Sequence, residues 1–227
     1  MPTAPKNVTA LETNENAGST LKARVQWAMR PPKHSLIETV ERTAEHTVKD
    51  LRELAKQNET EWGNRMLNQL KPNKMWTTKL GEDLVRDVLQ LLGENPRKPK
   101  IIDHQSPDWE TDDYIYEVKT RNWTTGGTAG EKVLGVAYKY SDVPLDYGKP
   151  LRIVCVGYQE HELSEGNTRI FNPTSQRKQQ MLKLWKELDI EFVKFSDLVA
   201  PVLEQIMTGA TEKTLGGCRP PVKPPGV

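Results

Sequence analysis

The stretch 106–123 reads SPDWETDDYIYEVKTRNW and gathers residue types that handle phosphate chemistry. Pro107-Asp108 is followed, after eight intervening residues, by Glu117-Val118-Lys119. Along a strand, side chains alternate faces. Ile115, Glu117, Lys119 and Arg121 therefore share one face, and Tyr114, Tyr116, Val118 and Thr120 the other. The second set suits a core. The first puts a carboxylate beside an ammonium on a face expected to be exposed. With Asp108 at the end of a neighbouring strand or turn, its carboxylate approaches that of Glu117. Converging carboxylates repel and raise one another's pKa, and a hard divalent cation gives them a reason to meet. Magnesium takes oxygen ligands, keeps several waters and uses one or two protein carboxylates with phosphate oxygens. The Val118 carbonyl, between the two side chains, is a candidate third protein oxygen. Lys119 then faces the pocket as a point charge, to stabilise charge on an attacked phosphorus or to orient and deprotonate a water. Such a set suits phosphodiester hydrolysis.

These side chains need elements to hold them. Gly81 to Leu92 carries Leu84, Val85, Val88, Leu89, Leu91 and Leu92, a helix with a broad apolar face and Gly93 as its C-cap. Short strands are expected at 100–103 and 114–120, and 151–158 (LRIVCVGY) reads as a central strand. Asn172-Pro173 is expected to open a helix bearing Met181, Leu182, Leu184, Trp185 and Leu188. A fourth strand follows at 189–195, then a last helix capped by Ser196, running to Met207 and ended by Gly209. Upstream, Leu36, Ile37, Val40, Ala44, Val48, Leu51, Leu54 and Ala55 predict a helix of about six turns from Ser35, with Ser35 and Glu38 as its capping box. A second helix is expected from Glu61 to Leu70, stopping before Pro72. The segment ARVQWAM, closed by Pro31-Pro32, fits a short strand or helix. The order helix, strand, strand, strand, helix, strand predicts an α/β fold with a mixed central sheet flanked by helices.

Pro-Asp, eight residues, then Glu-Val-Lys, behind a helix carrying Gly81-Glu82, resembles the PD-(D/E)xK nuclease superfamily. The resemblance covers residues 79–195, about half of the chain. It implies a restriction-endonuclease-like αβββαβ core with an N-terminal helical extension. By it, Asp108 and Glu117 are the principal Mg2+ ligands, Lys119 is the catalytic lysine, and Glu82 matches a helix carboxylate that assists through water on the metal. The following run, RNWTTGGTAGEKVLGVAYKYSDVP from Arg121 to Pro144, is similar to type II restriction endonucleases of bacteria and large DNA viruses. In those proteins a GTAGEK-like loop and a YKY-like segment follow the ExK strand. Physically, Thr124 to Gly130 reads as a flexible Gly/Thr loop whose N–H and hydroxyl groups can approach phosphates. Lys132, Tyr138, Lys139 and Tyr140 set cations and aromatic rings beyond the strand. Arg121, Thr124, Thr125, Lys132, Tyr138 and Lys139 are the expected DNA contacts.

Composition narrows the setting. Lysine and arginine number 32 against 31 aspartates and glutamates, a net charge of +1, which excludes a polybasic chain but not a local basic face. No apolar run approaches the roughly 18 residues of a membrane span, and residues 1–18 have no signal-type apolar core. Cys155 and Cys218 make neither a disulfide framework nor a zinc set, and Cys155 reads as a buried thiol. The four histidines show no ligand spacing. The expected organisation is a flexible N-terminus (1–20), a helical extension (21–78), the nuclease core (79–209) and a Pro-rich tail (210–227). The expectation is a cytoplasmic, homodimeric, Mg2+-dependent type II restriction endonuclease acting on double-stranded DNA, with no membrane partner. A repair or junction-resolving nuclease on the same core, and a catalytically silent DNA-binding module, remain the alternatives.

Overall fold

The most β-prone run of the chain becomes the middle of the sheet. In the computed structural model, which describes residues 20–30, 47–68, 75–124, 129–166 and 168–210, four strands lie in the order β1 (Trp109–Glu110), β2 (Ile115–Arg121), β3 (Leu151–Gly157) and β4 (Ile190–Lys194). β1 and β2 are antiparallel, with Trp109 opposite Tyr116. β2–β3 and β3–β4 are parallel, with Lys119 opposite Cys155 and Ile153 opposite Phe192. The protein is thus α/β, with a mixed sheet flanked by helices. Its helices are α1 (20–28), α2 (Val48–Met66), α3 (Trp76–Leu91), α4 (Ala129–Lys139), α5 (Val143–Tyr147), α6 (Tyr158–Glu165), α7 (Gln176–Glu187), α8 (Phe195–Val199) and α9 (Leu203–Thr208).

Both faces of the sheet are covered, as parallel strands require. Tyr116, Val118, Val154 and Val156 pack with Leu80 and Leu84 of α3 and Phe195 of α8. Ile115, Ile153 and Cys155 pack on the other side with Val133 and Ala137 of α4 and Leu163 of α6. Each such fully buried aliphatic side chain stabilises the fold by about 1.5–3 kcal/mol. The face of β2 expected to be exposed is therefore a buried face, and Glu117 lies within it at 4% exposure.

Several elements differ from their expected bounds. Residues 100–103 form no strand: Asp103 and His104 take positive φ (45° and 62°) in a turn that closes an Ile102–Gln105 bridge. The short strand preceding β2 is Trp109–Glu110 instead, and Arg97 bridges Glu110 on its far side. Between β2 and β3 the chain forms α4 and α5, which the expected element order lacks, and α4 starts at Ala129, inside the expected Thr124–Gly130 loop. The spacing of Val133, Val136, Ala137 and Tyr140 gives α4 an apolar stripe, all four of them buried. The long helix expected from Ser35 falls partly outside the described residues. Within them α2 starts anew at Val48, behind an extended Thr47 N-cap in a Thr47–Asp50 capping box, so the expected helix does not run through Thr47; α2 then continues unbroken to Met66, and no separate helix starts at Glu61. Gly63 within it lets Trp76 approach: a Cβ there would lie 2.0 Å from the ring. α7 starts at Gln176 behind Ser175, not at Asn172-Pro173. Pro201 divides the last helix into α8, a 3-10 turn at Ala200–Val202 and α9, and Lys194 rather than Ser196 is the N-cap. Gly93 and Gly209 end α3 and α9 at φ of 84° and 77°, as expected. The Ser35–Glu38 box, Thr125, Cys218, the N-terminus and the tail beyond 210 lie outside the described residues. No described helix is long and apolar enough to cross a membrane.

Candidate active site

Close approach of α3 to β2 builds one wall of the site. A Cβ on Gly81 would lie 1.6 Å from Thr120 Oγ1, so only glycine lets the helix sit this near the strand. The next residue, Glu82, is held at the same level, where the Trp109 indole N–H donates to its carbonyl at 2.9 Å. Because α3 begins at Trp76, Glu82 lies beyond the first turn, where the helix-end dipole has faded. Burial, then the charge of Asp108, pushes the Glu82 carboxyl above its ordinary value.

Asp108 sits where the chain turns into β1. Its N–H donates to the Tyr116 carbonyl at 3.0 Å, and its Oδ2 accepts from the Val118 N–H at 2.7 Å. Both bonds point away from β3, while the Ile115 N–H points toward it and meets the Pro150 carbonyl at 2.9 Å. N–H and C=O of one strand residue point the same way, so the Val118 carbonyl faces the side on which Asp108 lies. Burial, with the charge of Glu117 added, pushes the Asp108 carboxyl up to about 6.

Glu117 is the starved member. The Lys119 ammonium donates to its Oε1, while Oε2 is buried and makes no hydrogen bond. Burial raises the Glu117 carboxyl despite that lysine. Burial works against the Lys119 charge too, but the Glu117 carboxylate more than offsets it and holds Lys119 above the usual lysine value. Lys119 is thus an ammonium, suited to stabilising charge and orienting water rather than to abstracting a proton. Lys139 of α4 stands near enough for its charge to favour ionised Glu117, and buried Tyr140 faces Lys119.

Asp108, Glu117, Lys119, the Val118 peptide and Glu82 are therefore brought together. The expected DNA contacts separate into two groups. Lys132, Tyr138 and Lys139 are exposed on α4, Tyr138 by 78%, with Lys139 Nζ 3.1 Å from the Tyr140 hydroxyl. Arg121 is instead buried, paired with Glu162 and set over the Tyr158 ring at 4.9 Å. Its charge is committed inside the protein. Thr124 is half-buried, its hydroxyl donating to Glu59 at 2.6 Å.

Sequence reading missed two residues. Lys98 lies against Glu82 and Asp108, and only an exposed basic run, 97–100, hinted at it. Glu59 is 1% exposed and accepts from the Trp27 indole (2.9 Å), the Trp123 and Thr124 N–H groups (2.9 and 3.1 Å) and the Thr124 hydroxyl. A polar residue on the buried side of an amphipathic helix was its signal.

The chemistry of the donor set suits a hard cation. All available atoms are oxygens, one carboxylate oxygen is buried and unbonded, and the carboxyls are raised chiefly by burial, with the charge of Glu117 adding to it at Asp108. Among the described residues no three of His, Cys, Asp and Glu form a group that could hold a metal ion. Magnesium, content with one or two carboxylates, does not need three. No protein family model, no curated protein and no solved structure matches the chain.

Proposed function

We propose that the protein is a magnesium-dependent endonuclease of the PD-(D/E)xK type, with a restriction-endonuclease-like core, that cuts double-stranded DNA at specific sites. The observation that carries this reading is the buried Glu117 beside the half-buried Asp108, with the Lys119 ammonium on one oxygen of Glu117 and the other oxygen unbonded. A buried carboxylate oxygen left without a donor is costly, and a bound cation would satisfy it.

In this reading Asp108, Glu117 and the Val118 carbonyl hold magnesium, and Glu82 assists from α3. The ion supplies positive charge at the phosphate under attack. Lys119 donates hydrogen bonds to the incoming water and to the phosphate oxygens on which charge develops. Val118 N–H fixes the Asp108 carboxylate, and Gly81 keeps Glu82 within reach. Lys132, Tyr138 and Lys139 on α4 meet the DNA backbone, whereas Arg121 orders the end of β2. Two copies related by a twofold axis match a palindromic target.

The test is incubation of the purified protein with unmethylated phage DNA and magnesium, followed by sequencing of fragment ends. Discrete ends at one short motif support the reading. Random nicking, or cleavage confined to branched substrates, moves the protein to the repair class. Binding without any cleavage leaves a silent DNA-binding module.

A further inference from the structure

We propose that the Lys98 ammonium occupies the place of a second divalent cation, so that the site holds one cation on Asp108 and Glu117. The inference rests on the nuclease reading above. Lys98 Nζ donates to the Asp108 carbonyl at 2.9 Å and lies 3.7 Å from Glu82 Oε2. It also stands 4.1 Å from the centroid of the Trp109 ring, a favourable seat for a cation. Trp109 is itself fixed, since its indole N–H donates to the Glu82 carbonyl at 2.9 Å.

The backbone beneath Lys98 is tied down as well. Arg97 and Glu110 exchange both main-chain hydrogen bonds, at 2.9 and 2.8 Å. The Arg97 guanidinium then pairs with Glu110 and Asp112, each at 2.9 Å. The lysine is therefore held at the mouth of the site, though its side chain is 59% exposed.

The two sides of Asp108 are unequal as cation seats. Toward Glu117 there is a buried, unbonded Glu117 oxygen, and the Val118 N–H holds Asp108 Oδ2 on that strand. On the other side the Glu82 carboxylate already faces the Lys98 ammonium, which also donates to the Asp108 main-chain carbonyl. A divalent ion there would sit within a few ångströms of Lys98, and like charges at such range in a half-buried site repel strongly. Lys98 neutralises that side without needing a metal.

The experiment counts Mn2+ on DNA-free full-length protein, by calorimetry and by loss of the free Mn2+ EPR signal. Wild type is expected to bind one ion per chain. Lys98→Met is expected to bind a second ion about tenfold or more tighter than any second binding by wild type. Lys98→Arg should keep the count at one, and Lys98→Met with Glu82→Gln should lose the second ion. Two ions on wild type, or a single ion on Lys98→Met, overturn the inference alone. The wild-type count stands whether or not a variant folds. No Mn2+ on wild type removes the cation site itself and the proposed function with it.

Discussion

Glu59 and Glu117 are both buried carboxylates, at 1% and 4% exposure, yet their surroundings are opposite. Glu59 receives donors on both oxygens: the Trp27 indole and Trp123 N–H on one, the Thr124 N–H and hydroxyl on the other. Glu117 has one oxygen on Lys119 and one on nothing, beside an Asp108 carboxyl pushed up to about 6. Burying a carboxylate costs several kcal/mol unless it is well bonded. At Glu59 the chain meets that cost with its own dipoles. At Glu117 it leaves part of the cost standing, and in the proposed reading the unbonded oxygen is a place for a cation. A saturated carboxylate holds structure together, whereas a starved one waits for something.

The comparison breaks if the two carboxylates respond alike. Lys119→Met should lower single-turnover cleavage by about 10²–10³-fold or more, because it deletes the ammonium that stabilises developing charge. Glu117→Gln should do the same and also abolish the rise in melting temperature that magnesium gives wild type. The urea midpoint should stay close to wild type in Glu117→Gln but fall in Lys119→Met, which leaves the buried Glu117 without a donor. A next, smaller effect comes through shape. Gly81→Ala forces a Cβ onto Thr120 Oγ1 and should cost about 3 kcal/mol in urea unfolding, with cleavage falling as Glu82 is pushed away.

Glu59→Gln sharpens the contrast from the other side. Whichever way the amide is turned, its NH2 faces two donors, so bonds must break; about 2 kcal/mol of stability should be lost. Cleavage at saturating DNA should stay within a few-fold of wild type, with the loss appearing in affinity. The smallest effect has the opposite sign. Asp108→Asn removes a repelled charge and can still accept from Val118 N–H, so the metal-free protein at neutral pH should melt about 2–4 °C higher while cleavage disappears. A lower melting temperature would mean that Asp108 is bonded as well as Glu59 is.

Periodicity made much of the fold legible. The apolar stripe of α3, the β-branched run of β3 and the glycines ending α3 and α9 all act through local chemistry that a sequence displays. What it did not display was contact between distant parts. Alternation grouped Glu117 with Lys119 correctly, but α4 covers that face, and nothing in 115–121 announces α4. Arg121 falls on the same face, yet Glu162 and Tyr158, far along the chain, decide that its charge turns inward. Lys98 was invisible for the same reason: its neighbours Glu82 and Asp108 are set by the Gly81–Thr120 approach and the Arg97–Glu110 bridge. Helix bounds slipped where caps compete. Ser175 starts α7 rather than Asn172, and Pro201 cuts a stripe that reads as continuous.

The clasp at Glu59 also links two distant parts of the chain in time. The Trp123 and Thr124 amide hydrogens point at its carboxylate, so they are shielded from solvent exchange only while α2 stays docked. Protection in proteins is lost in cooperative units rather than residue by residue. Hydrogen exchange at these two amides, some sixty positions away in sequence, is therefore a direct gauge of how often α2 lifts off. Each such opening releases the residues that lead from the end of β2 into the Gly/Thr segment.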